Sequence, residues 1–416
     1  MSKFILYIYI SFLSLVGFVP YVGSIDIIGP QWFYLSLINL FVSPFILSKK
    51  IFYNHCLVFL NKITLPYLIF ILFTVVSLFF SLNLSLSFVE ISRIFTVFIS
   101  IYYVTFLLSN SDFNFSNLSL IISFILLLEV LFSFYPLIFF LTQFPISELD
   151  VSNLSANLKG VSGNVNVLSA DIVFKLGFLF FLFFKSKNIY LKLSSSLLLI
   201  LSFLLIFLLA SRTAFISLCL ISLLFLFHAF FSSNISKYKS LLFISLIPIS
   251  ILLYSLFPSN NNSVSSKFTN TTLTETSLGS RIYLYQNVID YLSFNPITPI
   301  GIGNWKIESL LFWKTRMTGY VVPYHAHNDF LELTVEIGIL GGLAYFLFFM
   351  GNFLYSLKYY YRHQKIIFVL IFSLCLVYFF DAMLNFPLER ALSQVNFILL
   401  ASLSIFYFKL RDEKNI

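Results

Sequence analysis

The sequence predicts an all-α integral membrane bundle of about twelve spans, on three observations. First, 59% of the 416 residues are hydrophobic and only 10% are charged, against about 25% charged in a soluble domain. Second, the apolar residues come in long unbroken runs, such as Thr64–Leu82 and Leu197–Ala210, each long enough to approach or cross a bilayer as a helix. Third, the Lys and Arg residues sit mostly in short clusters between those runs, where membrane orientation requires them. Lipid tolerates only helices or closed barrels, and a barrel would show alternating ten-residue strands. Disorder, a nucleic-acid-binding role and a secreted disulfide scaffold are excluded, and the net charge of +8 reads as topology and not as an acidic partner.

The first run, Phe4–Val22, follows Lys3. It is long for a signal-peptide core and has no small-residue cleavage pattern before Asp26, so it is expected to stay as the first span. Spans at 28–48, 64–82, 88–108, 117–141, 167–184, 193–210, 213–231 and 240–257 follow, and these nine make a block over 1–257. Residues 258–330 form a large outer loop, and spans at 331–356, 366–382 and 391–408 fill 331–416. The whole is one membrane domain without an internal repeat. Cys56, Cys219 and Cys375 lie in or beside apolar stretches with no CxxC spacing and read as core residues. The 55 Phe reflect AT-rich codons more than function.

With the N-terminus inside, 15 of the 25 Lys and Arg fall on inner segments and eight on outer ones, while Arg93 and Lys175 lie within spans. Both termini are then cytoplasmic. Within the outer loop, Gly279 and Ser280 offer a helix cap, and Ile282, Tyr285, Ile289 and Leu292 recur at three- and four-residue steps, which predicts an amphipathic helix over 281–292. Pro296, Pro299, Gly301 and Gly303 then impose tight turns, and Trp305 and Trp313 suit an interfacial loop.

Few residues here can carry chemistry. Charges inside spans mark a site or a pair. Glu90 with Arg93, and Asp171 with Lys175, can each neutralise themselves on one helix face, whereas Glu129 has no local partner. The densest segment runs from His325 through Ala326, His327, Asn328 and Asp329 to Gly338 and Gly341. It places a histidine at the outer mouth of a span, then small residues three apart where another helix can pack closely.

His-Asn, nine residues, Gly, two residues, Gly is a spacing that resembles the O-antigen ligase and O-antigen polymerase superfamily of bacterial envelope glycosyltransferases. Ser211-Arg212-Thr213, Gly279-Ser280-Arg281, Pro299-Ile300-Gly301-Ile302-Gly303-Asn304 and Gly163-Asn164-Val165-Asn166 fall where that family has related pieces, so the resemblance covers about 160–345. The polar turn at Asp381 and Asn385–Arg390 has only a loose parallel.

The resemblance implies a multi-pass bacterial inner-membrane enzyme related in fold to the C-type glycosyltransferases. It would act at the periplasmic face, without metal or other cofactor. An acceptor hydroxyl, of the lipid A core or of another lipid-linked glycan, would attack a glycan carried on undecaprenyl diphosphate. A leaving diphosphate needs its charge neutralised, for which guanidinium forks are suited, so Arg212 and Arg281 are candidates. The acceptor needs a base, and His327 is the candidate. Arg93, Arg390, His325 and Glu332 are candidate substrate contacts.

Plainer readings stand beside these. Arg212 can cap a hairpin or snorkel, Arg281 can bind lipid phosphate, and His327 can be a solvated helix-end residue. His325, His327 and Asp329 are all metal-ligand types, although ligands two apart suit a strand or loop and this stretch enters a helix. Glu332 and Glu336 share a helix face and can pair with arginines, orient His327 or face water. A polymerase, or a protein O-glycosyltransferase with a protein hydroxyl as acceptor, is the alternative within the family. A transporter or flippase is the rival from another class, since intramembrane charges suit one.

Overall fold

The computed structural model describes residues 2–20, 23, 24, 26–47, 60–143, 155, 157–232, 235–257, 277–313 and 324–410. Among these the chain forms α1 (Ser2–Ser14), α2 (Ile28–Leu47), α3 (Leu65–Val76), α4 (Leu84–Ser109), α5 (Phe115–Gln143), α6 (Val165–Lys185), α7 (Ile189–Leu209), α8 (Arg212–Phe231), α9 (Lys237–Tyr254), α10 (Ser277–Phe294), α11 (Trp305–Trp313), α12 (Asp329–Ile337), α13 (Ile339–His363), α14 (Ile366–Leu384) and α15 (Ala391–Ile405). Ten helical stretches are long and apolar enough to cross a membrane, and Ser2–Phe18 and Leu65–Phe80 are shorter apolar helices. The fold is the expected polytopic membrane helix bundle.

Two expectations need correction. The span placed at 331–356 is two helices, α12 and α13, parted at Gly338. That residue has φ 85° and ψ 162°, a backbone region open essentially to glycine alone. In addition, α11 was not anticipated, while the predicted loop helix is longer than expected, as α10.

The chain divides into two compact units. The first comprises Met1–Tyr34, Asn110–Asn270 and Ser356–Tyr378. Its centre is α6, buried over 89% of its apolar window. Asn164 caps α6 by accepting from Asn166 and Val167 N–H at 2.9 and 3.3 Å, satisfying donors that a helix start leaves open. At the other end, Lys239 Nζ donates to the Phe184 and Ser186 carbonyls at 2.6 and 2.8 Å. Phe180 meets Phe203, Phe225 and Phe243 edge-on, so the abundant phenylalanines build the core here. Glu129 is not without a partner: Lys175 reaches both Glu129 and, at 2.8 Å, Asp171. All three side chains are inaccessible to solvent, so each charge is held by its neighbours. Cys375 is buried and Cys219 exposed; Cys56 lies outside the described residues.

The second unit comprises Leu35–Ser109, Thr271–Tyr355 and Phe379–Ile416. Its most buried span is α15, at 94%, against which α4 packs, with Ser402 Oγ donating to the Ile101 carbonyl at 3.3 Å. Phe330, Tyr345, Phe349 and Phe379 form one aromatic cluster with ring centres 5.2–5.9 Å apart. Apart from Arg212, every candidate site residue belongs to this unit.

Candidate functional site

The scaffold of the site is the loop between α10 and α11. Val288, Ile300, Trp305, Ala326 and Val335 close a small apolar core, with Tyr291, Leu292 and Leu331 against it. The loop backbone is stitched to α12, to the connection after α3 and to the start of α4. Ile300 donates to Val335 O and accepts from Leu82 N–H, at 3.2 and 3.1 Å. Ile302 N–H donates to Ser77 Oγ at 3.1 Å. Asn304 is the hub: its Oδ1 accepts from Asn83 N–H at 2.8 Å, and its Nδ2 donates to Ser87 Oγ at 2.8 Å. Gly303 has φ +76°, and a Cβ there would stand 2.5 Å from Glu90 Cγ. Only glycine lets this loop lie against Glu90, which is the physical content of the Gly-Ile-Gly-Asn motif.

That contact brings a four-membered charge network together. Arg93 Nη1 donates to Glu90 Oε1 at 2.8 Å and to Glu389 Oε2 at 2.6 Å. Lys306 Nζ lies 3.4 Å from Glu90 and 3.5 Å from Glu389. Two cations thus offset two carboxylates. Burial disfavours the Glu389 anion, but His325, Lys306 and Arg93 together hold its carboxyl below the usual carboxylate range. Arg93, a candidate diphosphate contact, is engaged by Glu389 as well as by its local partner Glu90.

Helix α12 supplies the next layer. Asn328 caps it, its Oδ1 accepting from Leu331 N–H at 3.1 Å, which is worth about 1 kcal/mol. Asp329, Glu332 and Glu336 follow at steps of three and four and are all buried. Each carboxylate holds a different segment. Asp329 accepts from Leu388 N–H at 3.1 Å, and Glu336 accepts from Trp305 N–H, at the start of α11, at 2.8 Å. Glu332 takes His325 Nδ1 at 3.0 Å and Ala326 N–H at 2.7 Å. Glu332 and Glu336 therefore do not face water. Glu332 orients His325 and not His327. Burial, and then the Glu332 charge, push the Asp329 carboxyl well above its ordinary value.

The two histidines meet on Phe386. His325 stacks on it with centroids 4.5 Å apart and planes at 15°, and His327 approaches edge-on at 4.9 Å and 83°. The Arg390 guanidinium lies 5.1 Å from the same ring, a cation–π contact. Arg281 Nη2 donates to Asn385 Oδ1 at 3.1 Å, and Asn385 Nδ2 to Asp381 Oδ1 at 2.7 Å. Tyr285 Oη reaches the carbonyls of His327 and Met383, at 3.2 and 3.0 Å. It pins a histidine whose backbone is left-handed, with φ 54°, an uncommon conformation for a non-glycine residue.

The histidines are electrostatically unlike. Burial disfavours the His325 cation, but Glu332 outweighs it and raises the ring above the ordinary histidine value. Burial, then Arg281, then His325 push the His327 ring down to about 4. His327 is therefore neutral near pH 7, with an Nδ1 that is buried and has no hydrogen-bond partner among the described residues.

The structure thus gathers His327, Arg281, His325, Glu332, Arg93 and Arg390 in one unit. Arg212 belongs to the other unit, where it opens α8 beside Ser211, whose Oγ donates to Asn166 Oδ1 at 3.1 Å. Sequence reasoning assigned no part to Phe386, Glu389, Lys306 or Tyr285. The polar run Asn385–Arg390 in an apolar chain was the available signal for two of them. Among the described residues no group of three or more His, Cys, Asp or Glu side chains is arranged to hold a metal ion.

A search of curated proteins finds no match. Residues 197–346, which include Arg212, Arg281, both site histidines and all of α12, match the family model described as O-antigen ligase, so this multi-pass membrane chain carries an O-antigen ligase-like region.

Proposed function

We propose that this chain transfers a glycan from undecaprenyl diphosphate to an acceptor hydroxyl, that of the lipid A core, at the periplasmic face of the bacterial inner membrane. The family match supports a ligase- or polymerase-like glycosyl transfer in general. The observation that carries the finer reading is geometric: Tyr285 of α10 holds the His327 carbonyl at 3.2 Å, and Arg281, one turn earlier on the same helix, is held by Asn385 at 3.1 Å.

In this reading His327 accepts the acceptor's hydroxyl proton as the oxygen attacks the anomeric carbon. The bond from that carbon to the diphosphate oxygen breaks, and Arg281 stabilises the charge that develops on the leaving group. Phe386, edge-on to its ring, and Tyr285, at its carbonyl, hold His327 in place, while Glu332 fixes His325 as a substrate contact. Arg390 and Arg93 are further substrate contacts, and Arg93 would have to share its guanidinium with Glu90 and Glu389. Arg212 is a diphosphate-binding candidate, to be judged by its own substitution. The same chemistry with a second lipid-linked glycan as acceptor is polymerisation.

Reconstitution tests this directly. Purified full-length protein in proteoliposomes is given undecaprenyl-diphosphate oligosaccharide with lipid A core, with excess lipid-linked donor alone, or with neither. Glycosylated lipid A core supports the ligase reading, and lengthened lipid-linked glycan supports the polymerase. Donor consumed in neither arm contradicts both.

A further inference from the structure

At one end of the first unit, the C-terminal part of α8, the end of α13 and the start of α14 border a partly open apolar cavity of about 110 Å³. Leu224 and Phe227 of α8, Leu357 and Tyr360 of α13, and Phe368 and Phe372 of α14 line it. Tyr360 is fixed there by His228, whose Nδ1 lies 3.1 Å from its hydroxyl.

Two features point to what fills it. The first is Ser356, which also lines the cavity. Its hydroxyl is buried with no hydrogen-bond partner among the described residues, although a helical serine commonly bonds back to the carbonyl four residues earlier. A buried donor left unmade is costly, so the cavity suits a ligand that brings an acceptor. The second is charge. Lys358, Arg362 and His363 fall in the last turns of α13, and Lys365 precedes α14, three and four residues before the lining Phe368 and Val369. None of Lys358, Arg362 and Lys365 forms an ion pair among the described residues. The sequence has no Asp or Glu between Glu336 and Asp381, nor between Asp171 and Glu275, the stretches that hold every lining residue. The lining parts of α8, α13 and α14 thus bring no carboxylate to compete for these cations.

We propose that this cavity is a binding site for one anionic phospholipid. An acyl chain occupies the apolar cavity, an ester carbonyl accepts from Ser356 Oγ, and the phosphate sits among Arg362 and Lys365. Basic pockets between spans bind acidic headgroups by this chemistry. The site is independent of the glycan-transfer reading.

The test is native mass spectrometry of delipidated full-length protein titrated with phosphatidylglycerol or phosphatidylcholine of identical chains. Phosphatidylglycerol binds at one molecule per chain in preference to phosphatidylcholine. The Arg362→Gln/Lys365→Gln variant loses about thirtyfold in phosphatidylglycerol affinity, each cation contributing somewhat under tenfold. Leu357→Trp, which fills the cavity, weakens both lipids, and Ser356→Ala gives a milder variant of the same test should the tryptophan prevent folding. Equal binding of the two lipids overturns the proposal, as does phosphatidylglycerol binding that survives both the double and the Ser356→Ala substitutions. Displacement of phosphatidylglycerol by equimolar undecaprenyl phosphate overturns it in favour of an isoprenoid site.

Discussion

Neutralising Arg281 should move the pH at which the enzyme loses activity in acid. The His327 ring lies at about 4, with burial the largest cause, Arg281 the second and His325 the third. A base with that value stays deprotonated through the neutral range, so the acid limb of kcat/KM, which reports the free enzyme, falls near pH 4 and not near the ordinary histidine value of about 6.5. Arg281→Gln removes the second cause and leaves burial intact. The limb should then rise by about one pH unit, the low end of the range a nearby charge commands. Lost stabilisation of the leaving diphosphate should lower the rate by about 10²–10³ as well. Arg281→Lys keeps the charge and so keeps the limb, but loses the planar fork and some of the rate. The assay is the initial rate of glycan transfer at low donor concentration in proteoliposomes, from pH 3.5 to 8. A wild-type limb near 6.5, or a limb that Arg281→Gln leaves in place, would refute the reasoning.

Other outcomes follow from the same geometry. The Glu332-held His325 cation stabilises the fold fully below about pH 6.5 and loses that contribution as pH rises through its raised folded value. Glu332→Gln should therefore lower the thermal unfolding midpoint more at pH 5.5 than at pH 9. Tyr285→Phe frees the His327 carbonyl from its pin; kcat should fall about tenfold or more through misplacement of the base, with KM little changed, whereas equal changes in both would argue against a positioning role. Since the reading places charge stabilisation on arginine, transfer should persist in EDTA, and activity lost on chelation and restored by a divalent ion would argue for a metal site instead.

The spans were legible because hydropathy alone sets them, and their positions differ from the observed helices by only a few residues at most ends. The break at Gly338 was not, since the apolar pattern runs through it and only the backbone angle reveals the turn. Helix α11 has nine residues, too few for a periodic signal beside its two tryptophans. At the site, His327 stood out by its spacing to Gly338 and Gly341, and Arg281 by the Gly279-Ser280-Arg281 piece, each a pattern local in sequence. Arg93 invited pairing with Glu90, three residues away, yet it also meets Glu389, 296 residues on. Phe386 likewise looks like one phenylalanine among 55 until the fold sets it against both histidines. Long-range pairs of this kind leave no local pattern. The acidic stripe of α12 was visible as a stripe, but its burial was not, because its partners are two backbone segments and a histidine brought in by the loop.

The central claim is that His327 is the base in glycan transfer, and single-turnover transfer by purified His327→Ala tests it most directly. Wild type and variant are compared in proteoliposomes with undecaprenyl-diphosphate oligosaccharide and the acceptor that reconstitution identifies, after matched expression and unfolding profiles show that both are folded. The account predicts a rate about 10²–10⁴ lower in the variant, with donor binding retained. A folded His327→Ala protein that transfers at close to the wild-type rate would contradict it.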